Sequence, residues 1–342
     1  MSHTSTKILF MTTLMSGLLI TISSNSWLSA WMGLEINLLS FIPLMTNNDN
    51  MLMTEAALKY FLIQALASSS LLFVIISKSM VESMFMILNM PLSSIMISTP
   101  LLMKSGAAPM HWWFPSVMEG LSWVNCFILM TLQKMAPLML MSYTINSNIF
   151  LTTIILISVM VGSIGGFNQT SIRKILTYSS INHMGWMLMA MIMGENMWLL
   201  YFMIYSLLTL AIITIISPLH VSFINQIFLI KENNKIMKFL LFSSLLSLGG
   251  LPPFLGFMPK WMIIQFMIIN SSSTMVTIMI ILSLITLYYY LRISYSAFII
   301  LSTEPSWIQK NNDNMNVLLL SFILMMISVL GLNVSTAFIN LY

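Results

Sequence analysis

Five ionisable residues stand inside apolar runs of this 342-residue chain: Glu35, Lys104, Lys134, His183 and Lys260. Charges at such depth are costly in hydrocarbon and by default mark an ion or substrate path. Glu35 lies mid-run in AWMGLEINLLSFIP. A buried carboxylate needs a partner or water, so it acts either as a charge that changes when its partner moves or as half of a static ion pair. Lys104 immediately precedes a predicted helix break, where the carbonyl end of a half-helix favours a cation. Lys134 sits in FILMTLQKMAPLML, three residues before Pro137. Lysine surrenders its proton on burial far more readily than arginine. The deep cations are all lysines, which points to proton handling rather than fixed charge. His183, in SSINHMGWM, reads either as a bridge in a proton path between Lys134 and Lys260 or as a hydrogen-bonded helix contact.

Other polar residues carry weaker signals. Glu55 and Lys59 are spaced to pair at the start of a helix. Arg292 lies near the end of an apolar span, where its head can snorkel to the interface. His111, Trp112, Trp113 and Phe114 read as a quinone-stacking patch or, more commonly for such a cluster, an interfacial aromatic belt. Gly162, Gly165 and Gly166 follow no strand, so they signify close helix packing rather than a dinucleotide loop. The sequence shows no metal-spaced His/Cys set and no nucleophile beside a base. Its single cysteine, Cys126, excludes an internal disulfide.

The elements that position these groups begin with Gly249–Trp261, GGLPPFLGFMPKW. Adjacent prolines remove backbone donors and clash with the preceding turn, so a helix must break there. In hydrocarbon a broken backbone is tolerated only inside protein or beside a watered cavity. GAAPMHWWFP repeats the pattern: Gly106, Pro109 and Pro115 each stand 144 residues before Gly250, Pro253 and Pro259. Broken helices at matching places in two halves point to a transporter's central pathway.

Eleven apolar spans are predicted, near 8–24, 26–45, 54–77, 83–120 (broken), 121–143, 149–167, 171–193, 196–217, 236–269 (broken), 273–299 and 316–338. The offset of 144 carries the first five spans onto the next five, except at the ends of the fourth and fifth pairs. The expected architecture is therefore an all-α polytopic membrane protein with two five-helix repeats, 1–143 and 144–300, followed by a loop and last helix at 301–342. An odd number of crossings per repeat inverts the second copy.

Composition agrees with the class. Only 6% of residues are charged, 58% are apolar and the mean hydropathy is +0.93, outside the range of soluble domains. A net charge of +4 spread this thinly excludes nucleic acid as a partner. Its placement orients the chain. With the N-terminus inside, Lys7, Arg173, Lys174, Lys231, Lys235, Lys238 and Lys310 fall on the inner face and Lys78 on the outer. The C-terminus then lies outside. Residues 218–235 include a segment suited to a short amphipathic surface helix. A cleavable signal peptide in the first 30 residues is the lesser reading, because its removal deletes the counterpart of the sixth span.

WMGLEINLLSFIP, LLMKSGAAPMHWWFP, MTLQKMAPLM, SSINHMGWM and LGGLPPFLGFMPKW together resemble the subunit 2 family of mitochondrial NADH dehydrogenase, respiratory complex I. The resemblance runs from about Lys7 to Arg292, and the content of 36 methionines is similar to that of arthropod members. It implies an antiporter-like proton-translocating subunit of the complex I membrane arm, in the mitochondrial inner membrane with its N-terminus in the matrix and its C-terminus in the intermembrane space. Glu35 and Lys104 would form a coupled pair, Lys134 the central relay, and Lys260 the lysine of the second broken helix. NADH, FMN, iron–sulfur clusters and ubiquinone would bind other subunits. Implied partners are the neighbouring antiporter-like subunit, small core membrane subunits, accessory subunits and phospholipids such as cardiolipin. The competing reading is a free-standing cation/proton antiporter, which would need an oxygen-rich cation site. A membrane quinone oxidoreductase would need redox ligands that the sequence lacks.

Overall fold

The computed structural model describes residues 2–46, 50–84, 90–144, 149–219, 221–228, 235–270, 272–295 and 315–341. Among these the chain is all-helical, apart from an isolated bridge between Ser171 and Phe223. Lys231 and Lys310 of the predicted inner-face set lie outside the described residues. So do the loop of 301–314 and much of the segment expected to form a surface helix, of which Ile224–Phe228 is helical. The chain divides into two compact units, Met1–Ile154 and Ile155–Tyr342.

The first unit holds α1 (Ser2–Ser23), α2 (Trp27–Met45), α3 (Met51–Met84), α4 (Met90–Ser105), α5 (Trp113–Gly120), α6 (Trp123–Met130) and α7 (Leu132–Ser142). The division falls within α8 (Ile149–Gly165). Helices α1 and α2 approach so closely that a Cβ on Gly33 would stand 2.6 Å from the Thr21 methyl, the small-residue packing expected between membrane helices. Helix α3 continues past the predicted end at residue 77 to Met84. Hydropathy falls at Lys78, but neither glycine nor proline interrupts the segment, and lysine and glutamate are good helix formers.

The predicted span 121–143 is interrupted. Thr131 leaves the helical line (φ −115°, ψ −78°) and separates α6 from α7. Pro137 lacks an N–H and its ring opposes the Gln133 carbonyl. One turn earlier the Thr131 hydroxyl donates back to the Phe127 carbonyl at 2.7 Å, a local bond that bends helices. The Lys134 and Met135 amides both turn to the Thr131 carbonyl, which places Lys134 in the first turn after the kink.

The second unit is built on α9 (Ile172–Met193), buried along most of its length. The unit continues with α10 (Glu195–Leu219), α11 (Ile224–Phe228), α12 (Lys235–Gly249), α13 (Phe257–Ile269), α14 (Ser273–Tyr295) and α15 (Met315–Leu341), of which α10 and α13 pack against α9. Gly162 and Gly165 admit Tyr178 and Asn182 at contact distance, as expected of close helix packing. Six helical stretches among the described residues, with α6 and α7 counted as one, are long and apolar enough to cross a membrane.

Both predicted breaks are present, and they repeat in detail. Helix α4 ends at Ser105 and α5 begins at Trp113; α12 ends at Gly249 and α13 begins at Phe257, each 144 residues later. Gly106 (φ 74°) and Gly250 (φ 82°) take the left-handed conformation that side chains disfavour. At the first break the Gly106 amide donates to the Met103 carbonyl and the Ala107 amide to that of Leu102. At the second, Gly250 donates to Ser247 and Leu251 to Leu246. Both are the paired Schellman closure of a helix C-terminus, formed at equivalent positions.

Candidate functional site

Helix breaks leave carbonyls without intrahelical donors, and side chains satisfy them in each unit. In the first, Gln64 of α3 donates to the Lys104 carbonyl at 3.2 Å and the Trp113 indole to that of Met103 at 3.2 Å. In the second, the donor is the ammonium of Lys260, 2.9 Å from the Gly249 carbonyl. The lysine charge thus sits on the negative end of half-helix α12, where the aligned peptide dipoles favour a cation. Its Nζ also lies 6.0 Å from the Trp186 ring centroid.

Lys104, Lys134 and Lys260 are 6%, 2% and 5% exposed, so all three ammonium groups are removed from solvent. Lys104 and Lys134 line the same cavity in the first unit, with Asn37, Tyr60, Gln64, Phe114 and Gln133 among its walls. Its volume is about 10 Å³, room for about one water. The Lys134 ammonium stands 4.6 Å above the Phe114 ring, a favourable cation–π approach. Beside it the Tyr60 hydroxyl donates to Gln133 Oε1 at 3.1 Å, and Gln133 Nε2 donates to Asn37 Oδ1 at 3.0 Å. This chain ties α3, α7 and α2 together around the lysines.

Glu35 is half-buried, and its Oε2 accepts no hydrogen bond. Glu35 and Lys104 make no contact ion pair. Glu55 and Lys59 do pair, at 3.9 Å and well exposed, as expected of a surface helix pair of little energetic weight. His183 is buried, with Nδ1 2.8 Å from the Tyr201 hydroxyl and its ring against Tyr205.

In the aromatic cluster at the first break the His111 ring stacks on Trp112 with centroids 5.0 Å apart, and Trp113 meets Phe114 edge-on at 5.5 Å. Trp112 is exposed, whereas His111, Trp113 and Phe114 are buried.

A family model described as NADH:quinone oxidoreductase/Mrp antiporter, transmembrane, matches residues 24–286. The NADH-ubiquinone oxidoreductase chain 2 of Anopheles gambiae is 54% identical over 95% of this chain and 95% of its own length. That of Locusta migratoria is 48% identical over 100% of this chain and 99% of its own. The chain belongs to the NADH-ubiquinone oxidoreductase chain 2 family. Solved structures share its fold. A chain of respiratory complex I from Thermus thermophilus superposes with a TM-score of 0.80 at 23% identity, covering 95% of this chain and 78% of that one. A chain of the Mrp complex from Dietzia sp. gives 0.73 at 16%, covering 87% and 61%.

In this chain 2 family member the sequence alone picks out the charged groups and misses the neutral ones that hold them. Asn37, Tyr60, Gln64, Gln133 and Tyr201 contact or wall in the predicted site residues. The available signal was their polarity within apolar spans; only Gln133, next to Lys134, and Asn37, two residues after Glu35, adjoin a predicted site residue in sequence.

Proposed function

We propose that this subunit of NADH:ubiquinone oxidoreductase moves protons across the mitochondrial inner membrane as part of the complex I membrane arm. Glu35, Lys104, Lys134 and Lys260 carry the charge, and His183 acts as a further relay. The observation that carries this reading is the burial of Lys104 and Lys134 on one small polar cavity. Burial takes a lysine there out of water, so its charge responds to small changes around it. Glu35, with a buried oxygen lacking a donor, supplies the opposing charge that couples to Lys104.

The proposed topology is eleven crossings arranged as inverted repeats over 1–143 and 144–300, with a last helix in 301–342. The equivalent Schellman closures 144 residues apart support it. The matrix N-terminus and the intermembrane C-terminus follow from the inner-face cations of the sequence. NADH, FMN, iron–sulfur clusters and ubiquinone are assigned to other subunits. Partners are the adjoining antiporter-like and small core subunits, with accessory subunits and cardiolipin at the periphery.

Replacing Lys134 with Met tests the reading. The variant keeps the volume and removes the charge, so the complex should assemble while the number of protons pumped per NADH falls. Undiminished pumping by an assembled variant removes Lys134 from the path.

A further inference from the structure

His183 on α9 and Tyr201 on α10 meet at 2.8 Å, Nδ1 to hydroxyl oxygen. Both are buried, Tyr201 to 1% and His183 to 6% exposure. Tyr205, one turn beyond Tyr201 on the same face of α10, sets its ring 5.1 Å from the imidazole. Two tyrosines therefore pack against the imidazole, Tyr201 at Nδ1 and Tyr205 by its ring.

A phenol donates strongly, and the bare sp² nitrogen of a neutral imidazole accepts strongly. If Nδ1–H were instead the donor, the Tyr201 proton would need a second acceptor. Among the described residues its hydroxyl has no hydrogen-bond partner besides His183. A buried hydroxyl proton without an acceptor is costly, so the phenol is the donor. We propose that Tyr201 is a positioning residue for His183: its hydroxyl caps Nδ1 and fixes the neutral tautomer that carries the proton on Nε2.

The consequence is directional. The only lone pair of His183 is occupied, and Nε2–H is presented as a donor. Uptake of a proton at Nδ1 requires the Tyr201 hydroxyl to rotate, after which its oxygen accepts from the new Nδ1–H. Tyr201 thereby sets the condition under which His183 becomes charged. The inference rests on the proposed role of His183 in proton transfer, but it concerns which ring nitrogen holds the proton and is read independently of pumping.

The test is vibrational spectroscopy of the intact complex in membranes, using imidazole marker bands that distinguish the two neutral tautomers and the imidazolium. The difference between wild type and His183→Gln assigns the signal. It should show the Nε2–H neutral form. In Tyr201→Phe, loss of one hydrogen bond should shift the proportion of that form by about tenfold. An Nδ1–H or imidazolium signal in the wild type overturns the proposal, as does an unchanged proportion in Tyr201→Phe. If Tyr201→Phe does not assemble, the wild-type spectrum alone decides. If His183→Gln pumps normally, the relay role of His183 fails, while the tautomer measurement still judges Tyr201.

Discussion

At the scale of residues, a buried ammonium is set over an aromatic ring. Lys134 has the Phe114 ring at 4.6 Å and a polar cavity beside it. A desolvated cation over a ring gains about 2 kcal/mol, enough to influence a group that must change charge. Phe114→Leu retains apolar bulk and removes the ring face. The expected outcome is an assembled complex whose coupled turnover is severalfold lower, measured as proton uptake per NADH in vesicles; unchanged coupling would reduce the ring to packing. Gln133→Leu acts differently. It leaves the Tyr60 hydroxyl and the Asn37 oxygen without their partner, at about 1–3 kcal/mol for each buried orphan. Its expected signature is a lower unfolding temperature of the assembled complex. Charged residues such as Lys134 announce themselves in an apolar sequence. Tyr60 and Tyr201 do not, because a phenol scores as nearly apolar and its partner is supplied by another helix.

At the scale of elements, the two breaks share a backbone and differ in what fills them. An alanine at Gly106 or Gly250 incurs about 1–2 kcal/mol for a left-handed conformation. The added methyl at Gly106 meets the Trp113 ring at 3.4 Å, an ordinary contact. At Gly250 it meets Lys260 Nζ at 3.1 Å and Cδ at 3.2 Å, so the lysine must shift by a few tenths of an ångström where it donates to the Gly249 carbonyl. Both substitutions should lower the thermal stability of the complex similarly, and Gly250→Ala alone should also reduce pumping markedly. Equal pumping by the two variants would show that Lys260 does not depend on its place at the helix end. These breaks were legible in the sequence because glycine and proline act on their own backbone. The kink at Thr131 was not, since it arises from a hydroxyl bonding back one turn ahead of a proline placed six residues later.

At the scale of the whole molecule, the sequence shows more of the topology than of the site. Hydropathy, loop charge and a fixed offset of 144 are properties of long stretches, whereas a cavity depends on contacts between residues far apart in the chain. The proposed inversion makes a sharp demand: equivalent positions must face opposite sides of the membrane. Asn50 and Gly194 provide the pair, 144 residues apart and both in turns between helices. Asn50 is exposed, and a Cβ on Gly194 would meet nothing within 4 Å, so a cysteine fits at either. Cys126 is buried and should contribute little background to labelling by a membrane-impermeant maleimide. With the N-terminus in the matrix, Asn50→Cys should label only from the matrix side and Gly194→Cys only from the intermembrane space. Labelling of both from one side would refute inverted repeats. Labelling of each from the opposite side to that expected would preserve the inversion and reverse the orientation drawn from Lys7, Arg173 and Lys174, so the two parts of the topology stand or fall separately.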